Sequence, residues 1–287
     1  MDVTDKLAAS QYRDYVIYSE LSKVEKVPEF KRILHHLAQQ EFTHFQFWKK
    51  HSNQKEFTVN SLQIWTYKFL RKVMGLTFAA RFLERHEQEM VEKYAQLLTE
   101  TTDKSLRKKV KAIIDLEAEH EQELISQIKE ERVTFISSIV LGLNDGLIEI
   151  TGALVGFSLA LRQNNLIALT GFITGLAASL SMASSAYMQA KYEEGKNARK
   201  VAVYTGLTYI SVVLLLILPF VVLPLVKEAL LLLLGIILVI IFSMSYYTAI
   251  IFRRSFRKQF LEMFVFSMGV AAITFTVGYF LRGWVGI

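Results

Sequence analysis

Along the 287-residue chain, the spacing of apolar positions changes character once, near residue 133. Before that point, apolar side chains recur every three or four residues between charged ones, the pattern of amphipathic helices. Four such blocks are predicted, at about 4–24, 29–52, 77–100 and 103–131, punctuated by Pro28, the polar stretch Asn53–Asn60 and the capping run Thr101-Thr102-Asp103. A further apolar segment, Leu62–Leu76, joins the second block to the third as a long crossover. After residue 133 the period disappears into five apolar stretches, roughly 134–161, 166–190, 203–226, 229–252 and 260–282. Each is long enough to cross about 30 Å of hydrocarbon as a helix. The predicted fold is all-α: a four-helix bundle over 1–132, then a five-helix transmembrane domain over 133–287. With only three prolines in the chain, the main helix breaker is scarce.

Charge divides at the same place. The formal +6 is +1 from residues 1–132 and +5 from 133–287. Most of that +5 sits in two connections, one holding Lys191, Lys196, Arg199 and Lys200, the other Arg253, Arg254, Arg257 and Lys258. Basic loops of this kind face the cytoplasm. The expectation is an integral protein of the cell membrane with a cytoplasmic N-terminal domain and the C-terminus outside. The basic loops satisfy orientation and attraction to the lipid bilayer, and nothing in their pattern suggests nucleic acid. The start, Met1–Lys6, lacks a basic region followed by an apolar run, so no cleavable signal is expected. Zero cysteines exclude disulfides, thiolate zinc sites and iron–sulfur clusters, leaving oxygen, imidazole and thioether as metal ligands.

The predicted spans differ in chemistry. The third and fourth are runs of Leu, Ile and Val, the composition of a lipid-facing scaffold, whereas the first two are rich in small residues such as Gly142, Gly146, Gly171 and Gly175. Asp145 and Glu149 stand one turn apart on the first span. An ionised carboxylate there costs about 2.5–3.5 kcal/mol or more and needs a cavity, a partner or an ion. No Lys or Arg lies within the core of a span, so a cation is the natural partner. Met182 on the second span adds a thioether, a soft ligand that favours a transition metal over Ca²⁺ or Mg²⁺. The segments Leu141-Gly142-Leu143-Asn144-Asp145-Gly146-Leu147 and Leu180-Ser181-Met182-Ala183 resemble the vacuolar iron transporter family. That resemblance implies five membrane helices, outward carriage of ferrous iron or manganese, a homodimer, and an ion path lined by Asp145 and Met182. Two features depart from the family pattern. Ala186-Tyr187 stands where a Glu-Tyr pair is common, and the Glu-rich insert of plant-type members shrinks to about Lys191–Val201.

In the soluble half the informative pattern is Glu-x-x-His, once at Glu41 and His44 and again at Glu117 and His120. Residues three apart share a helix face, so each pair aims a carboxylate and an imidazole at one point. With Glu20 in the first block and Glu84 plus Glu87 in the third, every predicted helix supplies a ligand, the carboxylate-bundle arrangement. Residues 5–130 resemble rubrerythrin, within the ferritin-like superfamily. The resemblance maps Glu20, Glu41, His44, Glu84, Glu87, Glu117 and His120 onto a di-iron centre (Fe²⁺/Fe³⁺, or Mn²⁺). The rubredoxin centre of rubrerythrins needs four Cys and has no counterpart here. Two functions follow as expectations: a ferrous iron or manganese exporter whose bundle captures, senses or oxidises iron, and, as the alternative, a membrane-anchored di-iron ferroxidase or peroxidase.

Overall fold

The computed structural model describes residues 3–83, 85, 111, 125–128 and 131–285, which are helical or irregular with no strand among them. The chain divides into two compact units, Met1–Val133 and Thr134–Ile287.

In the first unit, α1 (Val3–Val24) and α2 (Pro28–Lys49) pack as a hairpin. Their apolar stripes meet through Ile17, Tyr18 and Leu21 against Ile33, Leu34, Leu37 and Ala38. Pro28 opens α2, where its missing N–H costs nothing. The turn before it is held by Glu25, whose Oε1 accepts the N–H groups of Lys26 and Val27 at 2.7 and 2.9 Å. Helix α3 (Ser61–Met74) is the predicted crossover; Asn60 caps its start by accepting the Leu62 N–H. It buries Tyr67 and leaves Leu62, Trp65, Phe69 and Val73 exposed. Gly75 ends it at φ 102°, a conformation that side chains other than hydrogen resist. Helix then resumes over 76–83, burying Leu76, Phe78, Ala79, Ala80 and Leu83.

One ion pair locks α3 to the hairpin turn. Arg71 Nη2 and Nε donate to Glu25 Oε2 at 2.8 and 3.1 Å, and the Glu25 side chain is only 4% exposed. Burial pushes the Glu25 carboxyl up, but the Val27 N–H, Arg71 and the Lys26 N–H outweigh it and hold the group below its ordinary value. A depressed folded-state pKa gives stability that is present above the unfolded value and lost as pH falls through the folded one. Arg71→Ala is therefore expected to destabilise this unit by about 2–3 kcal/mol at neutral pH, the cost of stranding a largely buried charge. Chemical denaturation should show the difference shrinking as pH falls through the depressed Glu25 value, below the ordinary carboxylate range.

The second unit contains five helices long and apolar enough to cross a membrane: α4 (Ile136–Leu161), α5 (Asn164–Lys191), α6 (Ala198–Val222), α7 (Val226–Ile251) and α8 (Phe256–Val285). The expectation for the third span needs correcting. Instead of facing lipid, α6 is the most buried of the five, placing Tyr209, Val212, Val213, Leu216 and Phe220 in the core against Leu147, Ile150 and Leu154. Small residues on its neighbours make room for it. A Cβ on Gly175 would meet Val213 at 2.4 Å, and one on Gly142 would meet the Thr205 carbonyl oxygen at 2.2 Å. Ser179 Oγ also donates to the Gly206 carbonyl at 2.9 Å, joining α5 to α6.

Because the atom facing Gly142 is backbone, it cannot rotate away. Gly142→Ala is expected to destabilise the membrane unit by roughly 1–3 kcal/mol, the usual cost of overpacking. Gly235→Ala, with nothing within 4 Å of the added carbon, should be neutral. Thermal unfolding of the two variants in detergent checks the contrast.

Candidate metal sites

The bundle site begins with the inward stripe of α2: Ile33, Leu34, Leu37, Ala38, Glu41, Phe45 and Trp48. Glu41 takes a core position in that stripe and is 2% exposed. A carboxylate so placed in an apolar interior demands positive compensation. His44 follows one turn later and is half-buried. The two side chains thus stand three positions apart on one face of a single helix, a carboxylate and an imidazole of the types that can ligate a metal.

Ring contacts set the register against α1, with Tyr12 on Phe45 and Tyr15 on Phe42, both at 4.9 Å between centroids. By this register the buried Gln11 and Asp14 of α1 lie level with residues 46 and 43 of α2. The Asp14 carboxylate, 0% exposed, accepts from Arg13 at 2.7 and 3.1 Å. These two polar residues interrupt the stripe Leu7, Gln11, Asp14, Tyr18, Leu21, and that interruption is the signal that sequence reading passed over.

Glu20 lies elsewhere. By the same register it sits level with residue 37, about one helical turn from Glu41. Its carboxylate accepts from Lys23 and Lys68 at 2.5 and 2.7 Å, and those two bonds hold it below its ordinary value. Its charge is compensated by lysines in this structure. Glu84, Glu87, Glu117 and His120 lie outside the described residues. Among the described residues no group of three or more His, Asp or Glu is arranged to hold a metal. Of the seven expected ligands, the structure places Glu41 and His44 on one face of α2 and Glu20 on α1 with Lys23 and Lys68.

In the membrane unit, Asp145 and Glu149 project from α4 one turn apart. Glu149 Oε2 accepts from the Tyr209 hydroxyl of α6 at 2.6 Å, while the rest of Glu149 is exposed at the protein surface. Tyr209 is fully buried, and sequence reading missed it because the contact spans 60 positions. Asp145 is half-buried and lines a cavity of about 430 Å³ that also reaches Glu262 of α8. Glu262 was within reach of sequence reading, since it stands two positions inside the predicted 260–282 stretch. Met182 packs at the edge of the membrane core from α5, next to Ala183, which meets Gly206 of α6. The structure thus ties Glu149 to α6 and Asp145 to the cavity, and packs Met182 against the same hydrophobic core without lining that cavity.

Comparison with protein families agrees with the division into two units. Residues 9–126 match the family model described as Rubrerythrin, and residues 136–195 match the one described as VIT family. No curated protein and no solved structure matched the chain.

Proposed function

We propose that this chain, a rubrerythrin-type ferritin-like unit joined to a VIT-family membrane unit, is a transporter that carries ferrous iron or manganese out of the cytosol. The match of residues 136–195 to the VIT family supports metal-ion transport, and the match of residues 9–126 to Rubrerythrin supports iron binding. The observation that carries the reading is the pair of acids on α4, Asp145 at a cavity and Glu149 on Tyr209, in a segment where an uncompensated carboxylate is costly. Asp145, Glu149 and Met182 are the proposed path.

Glu41 and His44, with Glu84, Glu87, Glu117 and His120, are proposed to hold a di-iron centre that captures or senses the cargo before transport. Such a centre, when bound, supplies redox capacity as well as affinity. Glu20 joins that set only if Lys23 and Lys68 release it, which makes it the weakest member. The exposed side of Glu149 also bears on assembly. A carboxylate turned outward from a membrane helix is poorly served by lipid, so we place a second copy of the chain against that face, giving a homodimer. The basic connections at 191–200 and 253–258 support a cytoplasmic N-terminal unit.

Membrane vesicles sorted by protease access to residues 1–132 test this reading. Those with the ferritin-like unit outward should accumulate Fe²⁺ or Mn²⁺ in preference to Zn²⁺. Accumulation confined to the opposite orientation would overturn the stated direction, and none in either would overturn transport.

A further inference from the structure

The cavity beside Asp145 has more chemistry than a path through Glu149 and Met182 uses. It lies between α4, α7 and α8, and its walls include Asp145 and Asn144 of α4, Met244 of α7, and Gln259, Glu262 and Met263 of α8. Two carboxylates from different helices therefore share a space of about 430 Å³ with two thioethers. One basic residue, Arg254, stands at its wall from the exposed connection between α7 and α8. The formal charge of this lining is negative, and a compact divalent cation is what would neutralise it.

Three details make the lining a prepared site rather than an accidental gap. Asn144 Oδ1 is sealed from solvent and accepts no hydrogen bond among the described residues. A buried carbonyl oxygen left so is short of a donor or a cation. Met263 Sδ accepts from the fully buried Ser245 hydroxyl at 3.4 Å, which fixes where that thioether sits. Thr248, also on the cavity wall, has one hydroxyl hydrogen but lies 2.9 Å from the Met244 carbonyl and 2.6 Å from Gln259 Oε1. Both contacts are satisfied once the amide is turned over, so that its NH₂ donates to Thr248 and Thr248 donates to its own helix. That arrangement frees the Gln259 amide oxygen.

We propose that this cavity is a transition-metal site within one protomer, with Asp145, Glu262 and Asn144 as oxygen ligands and Met263 and Met244 as thioether ligands. Mixed oxygen and sulfur donors select Fe²⁺, Mn²⁺ or Co²⁺ over Ca²⁺, for which thioethers are poor ligands. The site receives the ion one helical turn from Glu149, so the two acids of α4 act in succession. The identity of the ion as cargo rests on the transport reading; its binding does not.

The test uses the full-length protein carrying Glu41→Gln and His44→Ala, which remove the two expected bundle ligands on α2, with Co²⁺ as probe in equilibrium dialysis. Met263→Leu preserves volume and should weaken Co²⁺ binding about tenfold while leaving Ca²⁺ binding unchanged. Glu262→Gln should weaken both ions. In liposomes, Glu262→Gln should raise the metal concentration needed for half-maximal uptake. Monodisperse elution confirms folding, and Met244→Leu serves as a second thioether variant if Met263→Leu fails that check.

Unchanged Co²⁺ affinity and stoichiometry in Glu262→Gln and in a folded thioether variant would overturn the proposal. So would phospholipid that co-purifies with the protein and is lost in Arg254→Gln while Co²⁺ binding stays the same, since the cavity would then hold a lipid. Co²⁺ binding that responds as stated without any uptake by the parent protein would sink the transport reading and leave the site standing. Uptake that persists with no response in binding does the reverse.

Discussion

Asp145→Ala should reduce metal flux through the membrane unit on the order of 100-fold, with metal loading of the ferritin-like unit unchanged. Asp145 is the acid on α4 that borders an open cavity, whereas Glu149 is already engaged by the Tyr209 hydroxyl. A dication moving into a low-dielectric segment needs compensation at each stage of its passage. Losing one carboxylate there leaves the dication less compensated at that stage, and at 1.36 kcal/mol per tenfold change in rate the expected loss corresponds to about 2.7 kcal/mol. Glu149→Gln should be milder, because the amide still accepts from Tyr209. Radiolabelled Fe²⁺ uptake at equal protein density measures both, and equal rates for Asp145→Ala and the parent would exclude the proposed path.

The second large effect is expected at Glu41. Glu41→Gln should weaken iron binding by the ferritin-like unit at least about 100-fold, beyond the 10–100-fold typical of losing an outer-shell partner. The metal-free form should melt close to the parent, since the amide keeps the shape of the 2%-exposed carboxylate. That separation of binding from stability distinguishes a ligand from a packing residue, whose loss would lower both. At saturating metal the flux should persist, and at low metal it should fall, because the bundle then no longer gathers the ion. Iron stoichiometry by elemental analysis, together with thermal melts with and without metal, reads these outcomes.

What the sequence disclosed follows from which features are local. Periodicity found α1, α2 and all five spans, because apolar spacing reports directly on which face is buried. Helix ends were less visible. Helix α6 begins at Ala198 instead of 203, where the Asn197 side chain accepts the Lys200 N–H and charged Arg199 and Lys200 fill the first turn. Hydropathy marks where a helix is apolar, and the backbone continues past that point. Likewise, α8 starts at Phe256 through Arg257 and Lys258, ahead of the predicted 260.

The roles of the spans were harder to read. Leu- and Val-rich α6 has the composition of a lipid-facing helix, yet glycines on two other helices, distant in sequence, draw it into the core. The site shows the same division. Glu41 was legible because it shares a three-to-four spacing with Leu34, Leu37 and Phe45. Glu20 looked similar beside Ile17 and Leu21, but it stands off their stripe and reaches Lys68, 48 positions away. Asp14 was hidden by its neighbour Arg13, which makes the pair look like surface charge. Tyr209 and Glu262 come to α4 only through packing.

The measurement that bears most directly on the central claim, that the membrane unit is a carrier and not an anchor, is the initial rate of Fe²⁺ entry into liposomes containing the full-length protein. Saturable entry well above that of protein-free liposomes is the predicted result. Entry no faster than in protein-free liposomes, from protein whose ferritin-like unit still loads iron, would contradict it.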